Sequence, residues 1–223
     1  MIYSEAVEDY LKAIYELRQD KQPVNTKALS KHLKVTPASV SGMLKKLSNE
    51  TPALINYKPH KQIQLTGFGE KVALRVIRKH RLIELFLYQV LGYGWDEVHR
   101  EAELLEHFIS DTLEERIENY LENPSFDPHG DPIPTKDGAV DEIGTSMLCD
   151  VEVGETVKLK QVRIEDSELL KHLDELGINL DAKITIQKKD PFNGPLSITV
   201  ITNDSSQTHS IGRWVSEQLL VIK

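Results

Sequence analysis

The sequence predicts a mainly α protein with a β-rich tail: an N-terminal winged helix-turn-helix, a helical middle and a small C-terminal SH3-like β-barrel. Three observations carry this. Two short helical patterns flank a tight turn and precede a two-strand pattern. Large apolar residues then recur at helical spacing from Phe68 to about Leu121. From about Thr145 the period shortens to that of strands. The expected divisions are 1–66, 67–140 and 141–223.

In the first segment, Val7, Leu11, Ile14, Tyr15 and Leu17 build the apolar side of a helix from about Glu5 to Arg18. Asp9 falls outside that side. Gln22-Pro23-Val24 ends the helix, and Asn25 or Thr26 caps a short one over Lys27–Leu33. After the turn Lys34-Val35, Thr36 caps a helix that opens at Pro37 and runs to about Ser48. Strands near Leu54–Tyr57 and Gln62–Leu65 are joined by the basic turn Lys58-Pro59-His60-Lys61. Two helices, a tight turn and a hairpin make a winged helix-turn-helix, a DNA-binding pattern.

The middle is rich in large apolar residues: Leu82, Ile83, Leu85, Phe86, Leu87, Leu91 and Trp95. Core packing is their first expected use and a dimer interface the second. Gly92 and Gly94 interrupt the pattern, and a further helix is expected over Asp96–Ser110. The Pro, Gly and Asp density from Asn123 to Thr135 marks a connection. Strands are expected at Thr156–Val162, Lys183–Lys188, Leu196–Thr202 and Leu219–Ile222, with a helix at Ser167–Glu175.

Charge is divided along the chain. The net charge is −8, yet residues 1–66 hold ten Lys+Arg against six Asp+Glu, or +4. Residues 67–140 hold eight against fifteen, or −7. Excess positive charge is thus confined to the segment with the DNA-binding pattern. No run approaches the ~20 apolar residues that span a bilayer, and no secretion signal opens the sequence. The single cysteine, Cys149, excludes an internal disulfide framework and a multi-thiolate zinc site. The expected compartment is the cytoplasm, with no membrane partner and no small organic substrate.

The acidic middle carries the chemistry. On a helix, Glu103, Glu106 and His107 share one face, and Asp9 is the best ligand from outside it. His80 and Glu84 lie one turn apart, and with His99 they make a second set. Each pair alone also suits a salt-linked solvated face; two clusters on neighbouring helices suit a divalent cation. An oxygen-rich set with one imidazole and no sulfur favours Mn²⁺, with Fe²⁺ the alternative. Glu-x-x-Glu-His matches neither His-Glu-x-x-His nor His-x-x-Glu-His, and no phosphate loop or nucleophile elbow occurs. A carboxylate metalloenzyme is the competing class.

Five stretches resemble the diphtheria toxin repressor family in its manganese transport regulator branch. They are Glu8-Asp9-Tyr10-Leu11, Thr36 to Ser41, Arg78 to Leu82, Val98 to His107 and Pro128 to Pro134. The resemblance implies a homodimeric, metal-activated transcriptional repressor of palindromic operator DNA. It assigns Asp9, Glu103, Glu106 and His107 to a primary metal site, and His80, Glu84 and His99 to a second. It also implies a ligand from the SH3-like domain, for which Asp166 is nearest and Glu165 and Glu168 are alternatives. Iron-sensing members carry Met and Cys where this chain has Asp9 and Glu103, and shorter manganese regulators carry glutamate where Lys12 stands. Thr36, Pro37, Ala38, Ser39 and Ser41 are placed to meet bases. Lys45, Lys46, Lys58 and Lys61 are placed to meet phosphates.

Overall fold

A computed structural model describes residues 3–19, 21–58, 62–141, 144–164, 166–201 and 206–223. Lys61 and Glu165, both singled out above, lie outside the described residues. The chain gathers into two compact units. One comprises Met1–His80, Leu104–Glu114 and Pro134–Val140; the other comprises Arg81–Glu103, Glu115–Ile133 and Asp141–Lys223.

The first unit opens with α1 (Glu5–Gln19), whose Val7, Leu11, Ile14, Tyr15 and Leu17 are all buried as expected. α2 (Thr26–His32) is capped by Asn25, whose Oδ1 accepts from Ala28 N–H. α3 (Pro37–Asn49) is capped by Thr36, with Pro37 in the first turn. The chain between them turns through Lys34 at φ 54°. Ser30 Oγ donates to Val35 O at 2.6 Å and closes that turn. β1 (Ile55–Asn56) and β2 (Gln64–Leu65) pair antiparallel as the base of the wing. Leu11, Leu29, Val40, Leu44, Leu47 and Leu54 form one core with Ala73 and Ile77 of α4 (Gly67–Leu91). Two helices and a hairpin therefore share a single apolar centre, which holds α3 with its polar side outward.

The second unit contains a six-stranded antiparallel sheet in the order β3-β8-β4-β5-β6-β7. Its strands are β3 (Ser146–Met147), β4 (Thr156–Val162), β5 (Lys183–Lys189), β6 (Leu196–Ile201), β7 (Ser206–Ile211) and β8 (Leu219–Ile222). Ile184 and Ile186, then Leu196, Ile198 and Val200, are buried at period two and pack on α7 (Ser167–Glu175). The closed barrel expected for this tail does not form among the described residues. β3 and β7 each have one neighbour, and β3 is two residues long, too short for the ladder that closure requires. A second cluster joins Leu82 and Leu85 to Ile117 and Ile133.

The remaining helices are α5 (Val98–Leu105), α6 (Asp111–Tyr120) and α8 (Arg213–Gln218). No helix among the described residues is long and apolar enough to cross a membrane.

Candidate metal centre

The expected helix from Asp96 to Ser110 is shorter than its pattern. α5 ends at Leu105, and Glu106 to Phe108 form a turn in which Phe108 N–H donates to Leu105 O at 3.0 Å. The cause lies just downstream. Ser110 Oγ accepts from Leu113 N–H at 3.2 Å and caps α6, so the chain must leave one helix to begin the next. Glu106 and His107 are thereby released from the helical face that carries Glu103.

Those two residues complete a cluster in the first unit. Glu8, Asp9 and Lys12 share one stripe of α1. His107 Nε2 donates to Asp9 Oδ1 at 2.9 Å, and its Nδ1 donates to Glu8 Oε2 at 2.7 Å. Glu106, 1% exposed, receives Lys12 Nζ at 2.8 and 3.1 Å. His80 Nδ1 lies against the same carboxylate and 3.2 Å from Nζ. Hydrogen bonds to Asp9 and then Glu8 push the His107 pKa up to about 10, against the opposing effect of burial.

Asp9, Glu106 and His107 each present a ligand atom, all within 4.8 Å of one another. Three carboxylates here face an ammonium and an imidazolium. A divalent cation would therefore meet a pocket already organised around positive charge. Of the first expected set the cluster unites Asp9, Glu106 and His107. Glu103 lies in the other unit near the end of α5, its side chain 46% exposed and 3.9 Å from His99. His80, expected in the second set, packs against Glu106.

A second cluster lies wholly within the second unit. Glu84 Oε1 is 3.3 Å from His99 Nδ1. Glu84 also forms a fully buried group with Asp127 and His129, its Oε2 3.9 Å from His129 Nδ1. His129 Nε2 donates to Trp95 O at 2.7 Å, which fixes the tautomer and directs Nδ1 toward Glu84 when the ring is neutral. Asp127 Oδ1 accepts from the N–H groups of His129 and Asp131, an Asx turn that shapes the loop. Sequence reasoning missed Asp127 and His129 as ligand candidates. Their signal was the run Asp127-Pro-His129-Gly-Asp131, where two side chains of ligand type sit two residues apart in a tight turn.

Asp166 accepts from Leu169 N–H at 2.9 Å and serves as the N-cap of α7. Thr36, Pro37, Ala38, Ser39, Lys45, Lys46 and Lys58 are exposed, and Ser41 is half-buried. Thr36 and Ser39 hydroxyls pair at 2.9 Å, and Ser41 Oγ donates to Pro37 O.

An exposed recognition helix in a winged unit, joined through its first helix to a buried carboxylate–imidazole cluster, defines a metal-dependent DNA-binding regulator. The comparisons agree. Residues 3–63 match the iron dependent repressor N-terminal DNA binding domain, 66–135 the iron dependent repressor metal binding and dimerisation domain, and 147–223 the FeoA domain. The chain belongs to the diphtheria toxin repressor family of metal-dependent transcriptional repressors, DNA-binding proteins and not enzymes.

A solved manganese-dependent transcriptional repressor in complex with manganese is 34% identical, with a TM-score of 0.88 over 97% of this chain and 99% of that one. The manganese-activated repressor ScaR is 31% identical, with a TM-score of 0.79 over 96% and 99%. The iron-dependent repressor IdeR of Mycobacterium leprae is 28% identical over 85% of this chain and 86% of its own.

Proposed function

We propose that this repressor responds to Mn²⁺, binds a palindromic operator as a homodimer in the cytoplasm, and represses metal-uptake genes. The observation that carries the reading is the donor set: Asp9, Glu106 and His107 converge without sulfur. Hard oxygen donors with one imidazole suit Mn²⁺, whereas soft ligands would suit a different ion. Two solved relatives are named for manganese. The iron-responsive reading has its own support, since the relative IdeR is named as an iron-dependent repressor.

Glu103 completes the proposed primary set, and Glu84, His99, Asp127 and His129 form the proposed second centre, with His80 at the edge of the first. A bound Mn²⁺ would supply a hard divalent charge, with no chemical turnover. The chain's own residues do the rest. Asp9 and Lys12 tie α1 to the turn holding Glu106 and His107, so the state of this cluster biases where the DNA-reading helix stands. Thr36, Pro37, Ala38, Ser39 and Ser41 of the α3 start then meet bases, and Lys45, Lys46, Lys58 and Lys61 meet phosphates. In the proposed dimer, two copies of α3 enter half-sites ~34–36 Å apart, or a multiple of that. Leu104, Leu105, Phe108 and Leu113, exposed together in the first unit, are the proposed face for the second copy.

The test is retention of a palindromic duplex, selected from a random pool, across Mn²⁺, Fe²⁺, Zn²⁺ and chelator at matched free concentrations. Retention with Mn²⁺ at the lowest free metal is expected. Retention that needs no metal, or that follows Fe²⁺ alone, overturns the reading.

A further inference from the structure

Lys12 is the one basic side chain of α1 that the packing buries, 6% exposed, while Arg18 remains half outside. It stands one turn beyond Asp9 and Glu8. Its ammonium reaches both oxygens of Glu106, at 2.8 and 3.1 Å, and lies 3.2 Å from His80 Nδ1. Glu106 is itself among the groups that would receive the metal. We propose that Lys12 is a tethered counter-cation of this centre: it occupies Glu106 in the metal-free protein and sets the Mn²⁺ concentration at which the protein responds. The inference rests on the manganese reading above.

The physical argument has three parts. A carboxylate as deeply buried as Glu106 is costly without a positive partner, and beside the His80 and His107 rings Lys12 supplies the ammonium that touches both of its oxygens. Any cation accepted by Glu106 must compete with Nζ for the same two oxygens. The ammonium cannot leave the vicinity, because α1 is anchored by Leu11 and Ile14 in the core. A fixed positive charge a few ångströms from an incoming divalent ion opposes its binding even after the hydrogen bonds are released. Lysine suits this role: its charge sits on a flexible four-carbon stem that can swing aside while the helix stays put. The apparent affinity is the intrinsic affinity reduced by the work of displacing Nζ, so the tether raises the response threshold.

The experiment is a calorimetric titration of the metal-free full chain with Mn²⁺, comparing native protein with Lys12→Gln, Lys12→Met, Lys12→Arg and Glu106→Gln. Melting temperature is recorded for each with and without Mn²⁺. Glu106→Gln should lose one ion per protomer. Lys12→Gln should bind that ion about tenfold tighter or better. Its metal-free melting temperature should fall while the rise on adding Mn²⁺ grows. Lys12→Met repeats the measurement should the glutamine variant fold poorly. Lys12→Arg, which keeps the charge, should stay near native. A lysine with a merely structural role would lower both melting temperatures and leave the affinity unchanged or weaker, and that result overturns the proposal. If Glu106→Gln binds as many ions as native protein, the site assignment fails as well. If Glu106→Gln loses its ion and both neutral variants bind like native, the counter-cation alone fails.

Discussion

His107 Nδ1 lies 2.7 Å from the Glu8 carboxylate, a contact between residues 99 positions apart. With Asp9 on its other nitrogen, the imidazole is held as a cation between two carboxylates of one helix. Its pKa rises from 6.5 to about 10. A raised folded-state pKa contributes stability that is complete below the unfolded value and disappears as pH climbs through the folded one. Metal-free protein should therefore lose this contribution between about pH 6.5 and 10. Melting temperatures in chelator across that range should fall more steeply for native protein than for His107→Gln. Parallel curves would count against the clamp.

Glu103 and Glu106 should behave differently when removed. Glu106→Ala removes the buried carboxylate that accepts from the Lys12 ammonium, so metal-free stability should drop by about 3 kcal/mol. Glu103 is half exposed, so Glu103→Ala should leave metal-free stability within about 0.5 kcal/mol of native. Both should abolish Mn²⁺-dependent operator retention in a gel shift. Retention by Glu103→Ala at native Mn²⁺ levels would remove it from the ligand set.

Phe108 is 72% exposed, and Leu104, Leu105 and Leu113, within five residues of it in the first unit, are exposed too. A charge here would be buried unpaired in the proposed dimer. Phe108→Asp should sediment as a monomer at micromolar concentration and lose operator binding. A dimer that persists would move the interface elsewhere.

Gly130 adopts φ +87°, and a Cβ there would stand 2.0 Å from Lys160 O. The same loop presents His129, whose O accepts from Val162 N–H. Gly130→Ala must shift the loop, since both the left-handed backbone and the contact oppose a side chain. Mn²⁺ stoichiometry should fall by one ion per protomer, with every ligand side chain intact and the first centre unaffected. An unchanged ion count would argue that Asp127 and His129 hold no metal.

Local chemistry in the sequence was decisive wherever a single element answers to its own residues. Thr36 with Pro37 sets the start of α3, Ser167–Glu175 is helical as its pattern requires, and the period-two burial of β5 and β6 follows their alternating residues. β7 escaped notice because Ser206–Ser210 is polar and mostly exposed at a sheet edge, where no apolar alternation is needed.

From the residues alone came the winged DNA-reading pattern, the excess of basic charge in it, and the carboxylate and imidazole types available for a cation. Tertiary structure alone decided which of them meet. Apolar periodicity runs on through Phe108, but α5 stops at Leu105 because α6 needs its own cap, and that stop turns Glu106 and His107 toward α1. Lys12, Asp127 and His129 joined the clusters through contacts between distant segments. Helical spacing describes neighbours along one element; it carries no information about which side chain another element will bring within 3 Å.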